Sequence, residues 1–359
     1  MTSKSFYEFA EVVAFERNLS LEDVLSKVEI ALKKAFIVEG FNGDIQITFN
    51  YEKKEIKVVE YKYVVAEIDP EGPAGQVLLE DAKQIKENIK LGATLKTRLS
   101  IDKDITRKGA SQFKQIFNQG LKELGRKRAY EFFKEHENEM ITAVVERVLD
   151  DAYILGIGLD YDAYMPRKEI LRDEEFYVGQ RVQVYVTKVE ETGKGPKVYV
   201  SRSNEGMIRR LFEQNVPEIS DGTIEIVKMA RDPGLRTKIA VRTDNPNVEA
   251  KGACVGPKGL RIKKINEALN GENIDVFLWS DDPVKLISQA LSPAQSLSVM
   301  VDTDQRQALV IVPDSQLSLA IGKGGQNVRL ASIVTGWKID IKDESTAYRE
   351  NISFKINAF

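Results

Sequence analysis

Cysteine and histidine are almost missing from this 359-residue sequence, which contains one of each, Cys254 and His136. A single thiol cannot form an internal disulfide, and one thiol with one imidazole cannot build the four-ligand sites typical of structural zinc. The scarcity also argues against Cys-His nucleophiles and a Ser-His-Asp triad. We interpret His136 as a solvated residue at a helix end, because no second histidine can partner it. The sequence therefore predicts no catalytic residue, no metal and no cofactor.

Long hydrophobic runs are also missing. No stretch approaches the roughly 18 uninterrupted apolar residues that a membrane span requires. The opening residues MTSKSFYEFAEVVAFERN carry acids and an arginine within their apolar pattern, unlike a signal peptide. We therefore expect a cytoplasmic protein with no membrane partner. With 42% hydrophobic and 30% charged residues, the chain is expected to fold into two to four domains of about 100–200 residues each.

An excess of one charge sign is absent as well. The chain has 52 basic and 55 acidic residues, a net charge of −3. Residues 1–135 carry +1, residues 136–203 carry −4 and residues 204–359 carry 0. No segment is broadly basic, so any nucleic-acid site must be a local patch rather than a whole charged face.

The first 105 residues are predicted to form an α+β domain. Apolar residues recur at helical spacing from Leu21 to Ala35, after Ser20 as a helix N-cap. Alternation from Ile45 to Tyr51 and again from Ile56 to Val65 predicts a β-hairpin. A short helix near Asp81–Lys90 and a strand near Thr94–Ile101 complete the domain.

Residues 106–137 then return to a helical pattern and predict a long connecting helix. Just before it, Asp102 and Asp104 have the spacing of a possible magnesium site. A solvated turn at the end of a strand is the favoured interpretation, because no other acidic cluster accompanies them.

Residues 138–203 change to short strands separated by turns, which predicts a small closed barrel of the OB type. Such barrels often bind single-stranded nucleic acid on an aromatic, basic face. Tyr153, Tyr161 and Tyr164 are candidates for stacking on bases. The −4 charge of the segment favours their interpretation as ordinary strand residues. The five predicted strands are Ile141–Val148, Tyr153–Gly158, Asp162–Met165, Arg181–Val189 and Lys197–Ser201.

The last 150 residues contain an internal repeat. VGPKGLRIKKINEALNGENIDVFLW begins at Val255, and IGKGGQNVRLASIVTGWKIDI begins at Ile321. Alignment of Gly256 with Gly322 also aligns Gly259 with Gly325. Two apolar strands precede each copy, so each unit reads as strand, strand, short helix, G-x-x-G, helix, strand. This shared order is far more specific than a lone G-x-x-G.

The chemistry of this loop points to nucleic acid. Two glycines between two helices allow the backbone to approach a sugar-phosphate chain, and N–H groups at the helix ends point toward the phosphates. KH modules use such a loop to clamp about four nucleotides. A P-loop is excluded, since no Gly-Lys pair here is followed by Ser or Thr. The predicted RNA-binding residues are Gly256, Pro257, Lys258, Gly259, Arg261, Lys263, Lys264, Gly322, Lys323, Gly324, Gly325 and Arg329.

The same residues carry a family resemblance. The segments DPGLRTKIAV (232–241), GACVGPKGLRI (252–262), IGKGGQNVRLAS (321–332) and TGWKIDI (335–341) closely resemble the NusA family of bacterial transcription factors. The resemblance spans the chain and is most specific from about 140 to 345. The first loop departs from the family pattern at Pro257, which removes one backbone donor.

This resemblance implies a multidomain α+β protein. The implied order is an N-terminal RNA-polymerase-binding domain (1–105), a connecting helix (106–137), an OB barrel of the ribosomal-protein S-one type (138–203), two tandem type II KH domains (204–281 and 282–345) and a C-terminal tail (346–359). We expect a non-enzymatic, monomeric factor acting in pausing, intrinsic termination and antitermination. The implied partners are core RNA polymerase, single-stranded nascent RNA and other antitermination factors. The alternatives are a ribosome-assembly factor and an RNA-processing enzyme with RNA-binding appendages.

Overall fold

The computed structural model describes residues 3–357, and its contacts divide the chain into two compact units, Met1–Glu131 and Phe132–Phe359. Within residues 3–357, no helix combines the length and apolarity that crossing a membrane requires. The elements of the first unit are α1 (Ser3–Glu16), α2 (Leu21–Val38), β1 (Asp44–Asn50), β2 (Glu55–Val65), β3 (Gln76–Leu78), α3 (Leu79–Ile85), β4 (Thr94–Leu99) and α4 (Arg107–Glu135), which continues past the unit boundary.

Two helices and a four-stranded sheet build the core of the first unit. Helix α2 begins as predicted, with the Ser20 hydroxyl accepting a 3.0 Å bond from the Asp23 backbone. Strands β1 and β2 form the predicted hairpin, and β2 also pairs with β3 and β4. The Asp102 and Asp104 carboxylates accept bonds from Ser100, as expected for a local turn.

The second unit starts with the predicted barrel. Its strands are β5 (Met140–Val148), β6 (Ala152–Gly156), β7 (Asp162–Pro166), β8 (Arg181–Thr192) and β9 (Gly195–Ser201), closed in the order β5-β6-β7-β9-β8. Alternate strand residues such as Val145, Leu155 and Val184 fill the interior and are fully buried. The closed five-stranded barrel confirms the OB interpretation.

Two three-stranded sheets follow, and their topology repeats. The first KH unit contains α5 (Glu205–Asn215), α6 (Pro217–Ser220), β10 (Glu225–Asp232), β11 (Arg236–Arg242), α7 (Ala250–Val255), α8 (Leu260–Ala268) and β12 (Asn273–Leu278). The second contains α9 (Pro283–Ala290), β13 (Ser298–Asp302), β14 (Gln307–Val312), α10 (Leu317–Ile321), α11 (Gln326–Thr335), β15 (Lys338–Asp343) and α12 (Glu344–Arg349). In both sheets the first strand pair is antiparallel and the second is parallel. This is the predicted repeat.

The KH units share an apolar core. Ala230, Ala240 and Phe277 of the first unit belong to the same buried cluster as Leu330 and Val334 of the second. Helix α12 contains the boundary predicted at residue 345, and its Ala347 is fully buried. Beyond it, the Asn357 backbone donates a 2.9 Å bond to the Leu297 carbonyl beside β13.

Candidate nucleic-acid interface

The two G-x-x-G loops follow one backbone path. Gly256 and Gly322, which open the loops, have φ/ψ of 74°/170° and 77°/168°. The glycines that close them, Gly259 and Gly325, have 74°/14° and 77°/12°. Such positive φ angles favour glycine, which lacks the Cβ that makes them strained. The sequence repeat is therefore a repeat of loop geometry, and proline at the second position of the first loop leaves that geometry intact.

The loops differ in where their lysine stands. Lys258 is the third residue of the first loop and has φ 53° and ψ 25°, in the left-handed region. The third residue of the second loop is Gly324, with φ 60° and ψ 26°. Lys323 is the second residue of that loop, at the position that Pro257 holds in the first. Within residues 3–357, the backbone N–H groups of Lys323 and Gly324 donate no hydrogen bond to a backbone carbonyl. The second loop thus offers two backbone donors where the first, with Pro257, offers one.

Four exposed lysines surround the loops. Lys258, Lys264 and Lys323 make no ion pair within residues 3–357, and Lys263 lies 3.9 Å from Glu267 with both side chains largely exposed. These exposed ammonium groups lie beside backbone N–H groups that can donate to a ligand. Because this region carries no net charge, a nucleic-acid site in it has to be a local basic patch, and these lysines form one.

Two of the predicted RNA ligands are held by carboxylates. The Arg261 guanidinium donates to Glu218 at 2.9 Å and to the Ala253 carbonyl at 2.6 Å. The Arg329 guanidinium lies 2.6 Å from the Asp232 carboxylate. These contacts give both arginines a structural role within the KH region, whereas their contact with RNA stays a prediction.

A buried residue that sequence reasoning missed holds the second loop. Asn327 is 1% exposed and donates to the carbonyls of Leu291 and Ala320, the latter in the helix that enters the loop. A methyl group on Gly322 would lie 2.7 Å from the Asn327 backbone nitrogen, so this glycine is required for close packing. Arg261 occupies the equivalent place in the first unit, five residues after the opening glycine. Alignment of the repeat would have identified the pair.

One of the three tyrosines considered as stacking candidates in the barrel is an ordinary buried strand residue, as the charge of the segment favoured. Tyr153 is 1% exposed and packs edge-to-face on Phe176, so it cannot stack on a base. It is buried because it faces the barrel interior rather than solvent. Tyr164 and Tyr199 do form a pair on neighbouring strands, with ring centroids 6.2 Å apart, and Lys197 lies 4.9 Å from the Tyr199 ring. In the described residues, no group of three or more acidic, cysteine or histidine side chains could hold a metal ion.

Family comparisons match the chain along nearly its whole length. Residues 5–127 match the family described as NusA N-terminal domain, and residues 134–201 match the S1 RNA binding domain. Residues 202–279 and 283–349 match the NusA-like first and second KH domains.

Full-length relatives agree with these matches. A protein of Bacillus subtilis (strain 168) named transcription termination/antitermination protein NusA is 40% identical over 347 residues, covering 96% of this chain and 92% of the relative. A protein of the same name from Thermus thermophilus is 37% identical over 355 residues, covering 95% of this chain and 90% of the relative. Both names refer to transcription rather than to ribosome assembly or RNA processing.

Proposed function

The chain belongs to the NusA family, and from this premise we propose that it is a non-enzymatic factor that joins RNA polymerase to nascent RNA and so modulates pausing, intrinsic termination and antitermination. The observation that carries the RNA-binding part is the pair of G-x-x-G loops with one backbone geometry. Because nascent RNA and polymerase are cytoplasmic in bacteria, the proposal includes that location.

Each loop is suited to a sugar-phosphate backbone rather than to base edges. The glycines allow close approach, and the available N–H groups with Lys258 or Lys323 supply positive charge at the point of contact. Phosphate contacts of this kind position a strand without reading its sequence. We infer that the two loops bind one strand at two places.

The test replaces one loop lysine at a time. Lys258→Asp and Lys323→Asp should each weaken binding to a long single-stranded RNA. Each should also reduce the slope of log affinity against log salt by about 0.7 for every phosphate that the variant no longer binds. Lys53→Asp, in the exposed β1–β2 turn of the first unit, makes the same charge change in a domain other than the KH domains and serves as the control. If both loop variants match this control in affinity and salt slope, the loops do not bind RNA.

The first unit offers a surface suited to a protein partner. Between α1 and α4 lies a groove of about 460 Å³ whose aromatic lining includes Phe6, Phe9, Phe113 and Phe117. The Phe113 and Phe117 rings stack at 5.4 Å, and Phe9 is 40% exposed. Exposed aromatic grooves are typical of protein-binding sites. We infer that this groove is the polymerase-binding surface.

Two phenylalanines on one helix test that inference. Phe9→Lys places a charge in the groove, whereas Phe15→Lys changes a residue of α1 that is 88% exposed and does not line it. In a pull-down of core polymerase, Phe9→Lys should lose binding and Phe15→Lys should retain it. Retained binding by Phe9→Lys would place the polymerase contact elsewhere. RNA binding should be the same in both variants.

A further inference from the structure

The turn between β10 and β11 contacts the barrel as well as its own KH unit. It runs from Asp232 to Leu235, closed by a 3.0 Å bond from the Leu235 backbone to the Asp232 carbonyl. A methyl group on Gly234 would lie 2.5 Å from the backbone nitrogen of Arg172, between the barrel strands β7 and β8. The Gly234 backbone also donates to Glu272 at 2.8 Å. The base of the turn is therefore fixed from two sides.

The Asp232 carboxylate extends from this turn to the second KH unit. One of its oxygens accepts a 2.8 Å bond from the Gln326 amide and a 2.6 Å bond from the Arg329 guanidinium. Gln326 is the first residue of α11 and directly follows Gly325, which closes the second G-x-x-G loop. A carboxylate of the first KH unit thus contacts the residue next to the loop of the second.

The equivalent residue of the repeat makes no such contact. Asp302 ends β13 as Asp232 ends β10, and each lies opposite the first residue of the next strand. The Asp302 carboxylate accepts from the backbones of Asp304 and Gln305, within its own turn. The contact between the two KH units therefore comes from the place of Asp232 in the fold. An aspartate at the equivalent position of the repeat is not sufficient to form it.

We propose that Asp232 is a positioning residue, which fixes the direction of α11 and thereby the placement of the Gly322–Gly325 loop relative to the Gly256–Gly259 loop. The apolar core shared by the KH units holds them together. A partly exposed ion pair adds little to that cohesion. What it does define is orientation at the loop end of α11. The consequence for RNA rests on the function proposed above.

Loop placement matters because one strand must reach both loops. Once one loop is occupied, binding at the other is intramolecular, and its strength depends on the distance between the two sites. A loop whose position varies lowers that effective concentration without changing its own contacts. Loss of the Asp232 carboxylate should therefore lower the affinity for long RNA and leave the affinity for short RNA unchanged.

The experiment compares Asp232→Ala with Asp302→Ala, its counterpart in the repeat. Affinity for a long single-stranded RNA should fall about three- to tenfold in Asp232→Ala, and affinity for RNA of about four nucleotides should not change. Asp302→Ala should match the parent for both RNAs. Gln326→Ala, which removes the other bond to Asp232, should lower long-RNA affinity in the same direction without changing tetranucleotide affinity, and the double variant with Asp232→Ala should lose no more than Asp232→Ala alone.

Two results would overturn the proposal. One is an unchanged affinity of Asp232→Ala for long RNA. The other is tighter RNA binding by Asp232→Ala together with weaker tetranucleotide binding by Arg329→Ala, which would make Arg329 an RNA ligand that Asp232 restrains.

A measurement without RNA separates this proposal from the proposed function. Spin labels on Lys264→Cys, in the helix α8 that follows the first loop, and on Lys323→Cys, in the second loop, report the separation of the two loop regions, and the native Cys254 is buried. The distance distribution should be narrow in the parent and in Asp302→Ala and broader in Asp232→Ala. An equally narrow distribution in Asp232→Ala would overturn the positioning role. If the parent protein binds no RNA, the proposed function fails while this distance measurement still decides the role of Asp232.

Discussion

Arg202 and Glu174 form a bidentate ion pair, buried where the barrel meets the first KH unit. The Arg202 Nε lies 2.8 Å and its Nη2 2.6 Å from the two Glu174 oxygens, and both side chains are less than a tenth exposed. The same guanidinium donates to the carbonyls of Gln183 in the barrel and Ala268 at the end of α8. This one side chain therefore links the barrel to the helix that follows the first G-x-x-G loop.

Breaking this pair should be costly. Glu174→Ala leaves a buried guanidinium without its counter-charge, and removal of one partner of a buried pair costs about 3–5 kcal/mol. Urea unfolding followed by tryptophan fluorescence would measure the loss, since the two tryptophans, Trp279 and Trp337, both lie in the KH region. The double variant Arg202→Met with Glu174→Leu, which removes both charges, should cost less than Glu174→Ala. An unfolding curve of Glu174→Ala that coincides with the parent curve would contradict the structural role of the pair.

The single thiol provides a probe of the first KH unit. Cys254 is fully buried in front of the Gly256 loop, and burial raises the pKa of its thiol to about 12. Because the thiolate is the reactive form, the folded protein should not react with a thiol reagent at pH 8, and unfolding in urea should expose one reactive group per chain. Rapid labelling of the native protein would show that α7, the helix that contains Cys254, opens readily.

Sequence patterns correctly predicted the elements whose formation depends on residues that are neighbours in the chain. The alternation of apolar residues placed all five barrel strands, and the glycine spacing located both G-x-x-G loops. The family resemblance, which rested on these motifs, is confirmed by the relatives. The short helix expected near Asp81–Lys90 lies at Leu79–Ile85, since sequence patterns define helix ends poorly.

Contacts between domains had no local signal. Asp232 and Arg329 are 97 residues apart in sequence, and no periodicity links them. Arg329 therefore resembled one more basic residue near a loop, although its guanidinium faces a carboxylate of the other KH unit. Tyr153 is different: the charge of its segment already favoured an ordinary strand residue, and its burial agrees with that interpretation.

The two loops separate the effect of charge from the effect of backbone conformation. Lys258 adopts a left-handed conformation that costs a residue other than glycine about 1–2 kcal/mol, and Gly324 occupies the same conformation in the second loop. Lys258→Gly should therefore weaken RNA binding and its salt dependence without a comparable loss of stability. Lys258→Val, which places a β-branched residue at positive φ, should destabilise the fold by about 1–3 kcal/mol. Equal unfolding midpoints for the two variants would show that this backbone position is not strained.

A buried lysine should make the stability of the KH region depend on pH. Lys238 is fully buried, and its ammonium donates to the Ser292 carbonyl at 2.8 Å and to Asp275 at 3.1 Å. Burial lowers the pKa of Lys238 from 10.5 to about 8, although the Asp275 carboxylate opposes the shift and Arg236, which also pairs with Asp275, adds to it. The folded state therefore binds this proton more weakly than the unfolded state does.

The sign of the effect follows from proton binding. Between pH 8 and 10.5 the unfolded chain holds the Lys238 proton more often than the folded chain, so this group makes the protein more stable as pH rises through that range. Below pH 8 the lysine is charged in both states, and the full penalty, on the order of 3 kcal/mol, opposes folding.

Lys238→Met removes the group. Its free energy of unfolding relative to the parent should therefore fall between pH 8 and pH 10, as measured by urea unfolding with tryptophan fluorescence. Lys285→Met, at an exposed site on α9, should show no such trend, since other titrating groups cancel in the comparison. A pH-independent difference between Lys238→Met and the parent would mean that Lys238 keeps an ordinary pKa despite its burial.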